Sequence, residues 1–273
     1  TQGVSSAASD VYKRQMYEDT QLTGNSLTPR IAVNYLINPR HGLRAVYSEA
    51  IRSPDMFENN VNWSYRVTGL STPVYGQNSA QYFVKTRGPG NLDQEHMRSR
   101  ELGYNGYFVD QALNLDIKLF YDEITGMISE PLRNNQYIAS NSNASRFAGT
   151  ESQLDWQLSR ADRLRLTYAY VHAQASNRLD QRLTASNSGS AGWLRNWGQG
   201  WSSALFYYGD SALNGYRFER VDTRIAKRLA LGSKTSLELA GTLQQRLDHQ
   251  PTTFADNLYD SRHVVYFSAE LEF

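Results

Sequence analysis

The sequence contains no cysteine, no long apolar run and no excess of charge of either sign. Without cysteine, the 273-residue chain has no disulfides, no thiolate metal ligands and no cysteine nucleophile. Unbroken apolar stretches are only a few residues long, which excludes a transmembrane helix or a secretory signal within this sequence. Lys and Arg number 28 against 27 Asp and Glu, so the charge balance does not predict nucleic-acid binding.

The abundant residues are aromatic, and the apolar ones alternate with polar ones. Aromatic residues make up 12% of the chain, and 18 of its residues are tyrosines. Every second residue is apolar or aromatic over 113–121, and the same period recurs over 164–170 and 237–243. Strict alternation is typical of strands with two unlike faces, and no comparable stretch has the spacing of an amphipathic helix. The sequence therefore predicts an all-β chain.

The segments are arranged regularly, with short connections and longer ones in strict alternation. This layout predicts an up-and-down antiparallel meander with tight turns at one rim and long loops at the other. Several segments are long enough to cross a membrane, which takes roughly 9–11 residues per strand. The predicted strands, about eleven in number, are 29–38, 42–52, 94–108, 111–128, 142–159, 163–176, 189–198, 200–209, 215–230, 234–249 and 261–273.

Aromatic residues gather near both ends of the predicted strands, as they do at the two interfaces of a membrane. The pattern favours a transmembrane antiparallel β-barrel. A soluble β-sandwich is the alternative, because aromatic residues are common in any sheet. The two groups are Tyr107, Phe108, Trp156, Trp197, Trp201 and Phe273 at the turn side, and Tyr121, Tyr170, Tyr207 and Tyr208 at the loop side.

The last strand carries a second membrane signature. Counting back from Phe273 in steps of two gives Leu271, Ala269, Phe267 and Val265 on one face. A final strand with this pattern resembles the assembly signal of bacterial outer-membrane barrels. The resemblance implies a Gram-negative outer membrane as the location, and outer-membrane lipids and the barrel-assembly machinery as partners.

Three further segments resemble TonB-dependent receptors, the active transporters of the outer membrane. They are residues 29–35 with 44–54, residues 100–106 with 120–122, and residues 149–151 with 166–170, in the family's order. The resemblance covers residues 16–273 and implies the C-terminal half of a 22-stranded barrel, with long extracellular loops and short periplasmic turns. It further implies import of an iron–siderophore or similar scarce nutrient, energised through TonB. The family's plug domain and energy-coupling box have no counterpart in this sequence.

Residues 1–15 show no strand pattern and resemble translated adaptor sequence, so we expect them to lie outside the barrel domain. A disordered loop remnant is the alternative. An open half-barrel has two unpaired edges that lipid cannot satisfy. We therefore expect residues 16–273 alone not to insert as a stable transporter.

The histidines do not predict an enzyme, a metal site or a cofactor. His41 and His249 fall at a turn and a loop edge, where solvated surface is the ordinary interpretation. His172 and His263 continue outward apolar rows, which favours an interface role. Glu95 and His96 are adjacent and would point to opposite faces of a strand, a poor geometry for one metal ion.

Ligand recognition is the better-supported function. The longest connection, 53–93, carries Trp63, Tyr65, Tyr75 and Tyr82, which suit a chelate or sugar ring. A loop that merely folds over its own rim is an equal alternative. Four arginines face the barrel interior by parity and would attract anions or simply line a wet lumen: Arg163, Arg165, Arg224 and Arg228. A passive channel and a structural or adhesive barrel remain as other functions.

Overall fold

The computed structural model describes residues 9–129, 136–181, 184–211, 217–232, 234–248 and 261–273. Two short helices, α1 (Met56–Asn60) and α2 (Arg178–Gln181), accompany the strands. The strands are β1 (Ser9–Thr20), β2 (Gly24–Asn38), β3 (His41–Arg52), β4 (Asn62–Thr68), β5 (Ser79–Arg87), β6 (Glu95–Phe108), β7 (Leu113–Met127), β8 (Gln136–Ile138), β9 (Asn143–Gln157), β10 (Asp162–Ala175), β11 (Asn187–Gly198), β12 (Trp201–Asp210), β13 (Glu219–Ala230), β14 (Ser236–Arg246) and β15 (His263–Glu272).

Twelve of these strands form one antiparallel sheet in the order β1-β2-β3-β6-β7-β9-β10-β11-β12-β13-β14-β15. Each strand of this sheet pairs with the next strand of the same sheet along the chain, so the predicted meander is confirmed. The eleven predicted strands are confirmed over their described residues; positions 215–216 and 249 lie outside those residues. In the described part of the chain β1 and β15 each have one neighbouring strand. A single sheet of this width, with no second layer packed on it among the described residues, is unlike a sandwich.

The strand β1 was not predicted, and the expectation that residues 1–15 contain no strand is wrong for Ser9–Gln15. These residues pair with β2 in continuous register, from Ser9 opposite Tyr35 to Gln15 opposite Pro29. The pattern is hidden because Lys13 and Gln15 share the outward face with Val11, which interrupts the apolar period. Residues 1–8 lie outside the described residues, and the adaptor origin of residues 1–15 stays a prediction.

The long connection 53–93 is also more ordered than a loop. It contains α1, β4 and β5, and the short strand β8 pairs in parallel with β5 to make a separate three-stranded sheet. The buried side chains Leu92, Ile128 and Ala139 form a small apolar cluster with Tyr137 packed against it. Hence two loops on the same rim are joined into one structure at the loop side of the sheet.

Arg52 connects this loop structure to the sheet. Its guanidinium donates to Glu95 at 2.7 and 2.8 Å and to Glu58 of α1 at 3.0 and 3.1 Å. The Glu95 carboxylate also accepts the backbone N–H of Ile128 at 2.6 Å. Burial alone would raise the pKa of Glu95, but the hydrogen bonds from Arg52 and Ile128 outweigh it and lower that pKa below its usual value of 4.5.

Because the pKa of Glu95 is lowered in the folded chain, its contribution to stability is present above the ordinary pKa and is lost as pH falls. We expect the protection factor of the Ile128 amide, its exchange rate relative to the intrinsic rate at the same pH, to fall as pH drops below the ordinary glutamate pKa, while β7 stays protected. Glu95→Gln should lower that protection factor at neutral pH and remove its acid dependence. An unchanged acid dependence in Glu95→Gln would assign the transition to another carboxylate.

The main sheet has two chemically distinct faces. On one face, cross-strand pairs put Leu115 beside Leu154, Leu154 beside Leu166, and Leu119 beside Leu102. Large apolar side chains on this face are exposed, with Phe267 at 84% and Leu102 at 61%. Among the described residues only six hydrophobic side chains are buried. The apolar surface is therefore outside the sheet, as in a wall that faces lipid.

The opposite, inner face is held by ion pairs between adjacent strands. Arg44 contacts Glu101 at 3.4 Å, Lys118 contacts Glu151 at 2.8 Å, and Arg224 contacts Glu238 at 2.6 Å. Charged residues paired across strands are usual in a water-lined barrel. In the described part of the chain, no helix is long and apolar enough to span a membrane.

Register corrects two members of the predicted aromatic belts. Tyr107 pairs with Asn114 and Tyr208 pairs with Arg220, so both lie on the inner face. The other described members of the two groups within the main sheet alternate onto the outer face. On β15, Val265, Phe267, Ala269 and Leu271 share that outer face, and Phe273 follows the strand with 90% exposure. Their role as an assembly signal stays a prediction.

Candidate ligand-binding site

A cluster of aromatic and arginine side chains lies on the inner face at the loop side of β12–β14. Tyr208, Arg220 and Arg246 occupy one register row, each opposite the next. The Phe206 and Tyr208 rings stack with centroids 6.0 Å apart at 16°. The Arg220 guanidinium lies 4.8 Å from the Tyr208 ring centroid and 5.9 Å from that of Phe218. We call Phe206, Tyr208, Phe218, Arg220 and Arg246 the inner-wall cluster.

A glycine on the adjacent strand makes room for the cluster. Phe206 pairs directly with Gly192 of β11, and a Cβ built on Gly192 would lie 2.1 Å from the Phe206 ring. The ring therefore lies over the glycine backbone, and the alternation of β12 places Tyr208 beyond it on the same face. A side chain at position 192 would displace the Phe206 ring and disturb its stacking on Tyr208.

Carboxylates hold the two arginines in place. Asp222 contacts Arg220 at 2.8 Å and accepts from Gln244 at 3.0 Å, and Asp248 pairs with Arg246. Arg246 and Asp248 are almost fully buried, whereas the Arg220 side chain is 32% exposed. Arg220 thus combines a fixed position, an aromatic platform and access to the inner face, which suits binding of an anionic, ring-containing ligand.

The ligand residues predicted in the 53–93 connection lie in the second, three-stranded sheet. Trp63 and Tyr65 are both about half exposed on β4, with ring centroids 5.9 Å apart. Tyr82 lies opposite Tyr65 on β5, and its side chain is outside the described residues. Tyr75 is fully exposed in a turn with φ of 50°. The structure brings Trp63 and Tyr65 together; a ligand role for these four residues stays a prediction.

The four arginines assigned to the inner face do lie there, but each has a carboxylate partner. Arg163 and Arg165 both contact Asp155, at 2.5 and 3.1 Å, Arg224 contacts Glu238, and Arg228 contacts Glu272. Such pairs neutralise the charge locally and tie neighbouring strands together. We therefore assign these arginines to the wall and not to the candidate site.

Two of the four described histidines, His41 and His172, make side-chain contacts. His41 is not simply solvated as predicted, because its Nδ1 lies 2.7 Å from the Tyr104 hydroxyl and its ring lies edge-on to Phe108. His172 faces outward and contacts Gln174 at 3.1 Å. Glu95 is held by Arg52, away from His96. His249 lies outside the described residues, and no group of potential metal ligands occurs among those described.

The sequence interpretation missed the inner-wall cluster because it grouped Tyr207 and Tyr208 as one belt. Adjacent residues in a strand face opposite sides, and the register places only Tyr208 with Arg220. A detectable signal was present: Phe206 and Tyr208 occupy positions that elsewhere on β12 carry small or polar residues. Two consecutive aromatic residues on an otherwise small and polar face are unusual for a lumen wall.

The architecture and its two faces define the wall of a transmembrane β-barrel. The family model "TonB dependent receptor-like, beta-barrel" matches residues 3–244, and the chain belongs to that family. The comparison with curated proteins finds no match.

Solved receptors share this fold at low sequence identity. The siderophore receptor PirA from Acinetobacter baumannii is 12% identical with a TM-score of 0.66, over 97% of this chain and 43% of that one. PirA from Pseudomonas aeruginosa is 14% identical with a TM-score of 0.65, over 97% and 45%. The ferric-catecholate import receptor Fiu from E. coli is 12% identical with a TM-score of 0.54, over 80% and 30%. The chain thus spans less than half the length of these receptors.

Proposed function

We propose that this chain is the C-terminal part of the barrel of an outer-membrane receptor that imports a ferric siderophore, energised through TonB. Membership of the receptor family is the observation that carries the proposal. The similar solved structures add support, because they include siderophore receptors and a ferric enterobactin receptor in complex with enterobactin. The location in a Gram-negative outer membrane belongs to the same proposal.

The inner-wall cluster favours a catecholate as the chelating group. A ferric tris-catecholate carries negative charge and aromatic rings. Arg220 offers a guanidinium that is already placed over Tyr208, and Phe206 extends the aromatic surface. Cation–π and stacking contacts of this kind are strongest where water is partly excluded. Trp63 and Tyr65, at the loop side, provide a second aromatic surface for the same ligand.

Uptake of iron by starved cells tests the proposal. Cells lacking the gene, complemented with the complete receptor, should accumulate radioactive iron from a tris-catecholate complex, and a TonB-deficient strain should not. A hydroxamate complex is the matched control for the chelating group. Uptake that persists without TonB and extends to unrelated small solutes would instead support a passive channel.

The aromatic pair on β4 gives a separate prediction. We expect Trp63→Ala with Tyr65→Ala to weaken binding of the ferric tris-catecholate about tenfold, since each buried aromatic contact contributes about 0.5–1.5 kcal/mol. Tyr75→Ala, in the exposed turn of the same connection, should leave affinity unchanged. Fluorescence quenching of the purified complete receptor measures both. Equal affinities for all three proteins would show that this loop folds over its rim without touching the ligand.

A further inference from the structure

A polar groove of about 640 Å³ crosses the inner face of the main sheet beside the inner-wall cluster. Tyr208 borders both features, because its register partners are Arg220 on β13 and Ser190 on β11. The hydroxyls of Ser190 and Thr167 lie 2.8 Å apart and form the floor of the groove next to Tyr208. We call this cavity the inner groove; the residues that follow its length are Tyr208, Ser190, Thr167, Gln153 and Asp116.

These five residues occupy one register row, and that row changes depth. Each lies opposite the next, from β12 through β11, β10 and β9 to β7. Tyr208 is two residues from the loop end of β12, whereas Asp116 is three residues from the turn end of β7. Strands of a barrel tilt by about 40°, so a row that crosses four strand spacings changes depth by about 12 Å. The inner groove therefore descends from the loop side toward the turn side.

The charges along the inner groove cancel. Arg44 and Lys118 are its cations, and Asp116 and Glu151 are its anions. Lys118 contacts Glu151 at 2.8 Å, and Asp116 accepts from Asn105 at 3.2 Å. A ligand that moves through a pore must be bound weakly enough at each point to leave it. A neutral, hydrogen-bonding surface of this kind lets an anionic ligand pass without holding it.

The wall straight below the inner-wall cluster has a different character. There the inner face is crossed by ion pairs between strands, with Arg165 3.1 Å from Asp155 and Arg224 2.6 Å from Glu238. Long paired side chains of this kind fill the space in front of the wall and carry fixed charge. The short hydroxyl side chains of the inner groove leave more room, so the easier way down runs sideways across the strands.

We infer that the ferric chelate, once it leaves the inner-wall cluster, moves toward the periplasm along the inner groove. It passes from Tyr208 over the short side chains of β11 and β10, and it leaves beside Asp116 near the turn side of β7. This route presupposes the proposed import of a chelate, and it adds which strip of the wall the moving ligand follows. Binding at the cluster and passage along the groove are then separate steps that depend on different residues.

Filling the inner groove tests the route. Thr167 and Gln153 lie two and three strands from Tyr208, so a large side chain at either position leaves the cluster intact. We expect Thr167→Trp and Gln153→Trp in the complete receptor to lower the rate of iron uptake from a ferric tris-catecholate about tenfold, through a higher barrier for the moving ligand. The dissociation constant of the same complex should change less than about twofold, because sites this far apart act independently.

Ser202→Trp is the matched control. Ser202 lies on the same strand and inner face as Tyr208, nearer the turns, and pairs with Ala226 outside the inner groove. Its substitution should leave uptake unchanged. If Ser202→Trp lowers uptake as much as Thr167→Trp does, the ligand does not follow the groove and the inference is overturned.

A block introduced after assembly separates the route from folding. Thr167→Cys in the assembled receptor, modified with a bulky methanethiosulfonate, should lose uptake and regain it when a reductant removes the group; the wild type treated in the same way is the control. Normal uptake by both tryptophan variants and by the modified cysteine variant would overturn the route while leaving the proposed function in place. A wild type that neither binds nor imports the chelate would instead refute the proposed function.

Discussion

Replacing Arg220 by glutamine should weaken binding of a ferric tris-catecholate about 30-fold. The substitution removes a cation that lies over Tyr208 and is partly accessible from the inner face. Charge-assisted contacts contribute about 1.5–3 kcal/mol, and a loss of about 2 kcal/mol corresponds to this factor. The dissociation constant of the complex with the purified complete receptor, determined by quenching of the receptor's fluorescence, measures the change.

Arg224→Gln is the control for this experiment. Arg224 lies on the same strand and face, two register rows nearer the turns, and pairs with Glu238 at 2.6 Å. Its substitution should leave the affinity within a factor of about two, since exposed ion pairs contribute little. If the two variants weaken binding equally, general lumen charge and not the inner-wall cluster attracts the ligand.

The second large effect concerns the outer wall. Ile117 lies midway along the outward row of β7, between Leu115 and Leu119, and we expect this position to face the centre of the bilayer. We expect Ile117→Arg to destabilise the folded barrel by about 2–4 kcal/mol, the cost of an arginine at that depth. The free energy of unfolding measures this loss. It is determined from urea unfolding of the complete receptor in lipid, with the folded fraction read from heat-modifiable migration.

Gln153→Arg brings the same side chain to nearly the same depth on the inner face. Gln153 pairs with Asp116, so an arginine there gains a carboxylate partner in a wet environment. We expect no loss of stability for this variant. Equal destabilisation by Ile117→Arg and Gln153→Arg would mean that the two faces do not have different surroundings.

Most of the main sheet could be predicted from the sequence because one face of each strand must remain apolar. The alternation along β7 and the steps of two back from Phe273 predicted that each segment is a strand and which of its faces is apolar. The short connections then predicted which strands pair, because strands joined by a tight turn lie side by side. The strand β1 escaped because Lys13 and Gln15 share its outward face. The sheet of β4, β5 and β8 escaped because its parallel pairing joins two separate connections, and no local period encodes such a contact.

The candidate site was harder to predict from the sequence because it depends on the register between strands. Tyr208, Arg220 and Arg246 are far apart in sequence, and nothing in their local patterns states that they share a row. Likewise, the inward arginines Arg163 and Arg224 could be placed on a face by parity, but their carboxylate partners appeared only with the register. Trp63 and Tyr65 were found by composition, which identified an aromatic surface without its partners.

Cysteine scanning along β7 tests most directly the claim that this sheet separates lipid from a water-filled interior. The chain has no cysteine, so each single substitution by cysteine places one reactive thiol in this part of the receptor. We expect the inward positions to react with a membrane-impermeant maleimide and the outward positions to react only with a lipid-soluble one. Reaction of both sets with the impermeant reagent would contradict the account. The inward set is Asn114, Asp116, Lys118 and Phe120, and the outward set is Leu113, Leu115, Ile117, Leu119 and Tyr121.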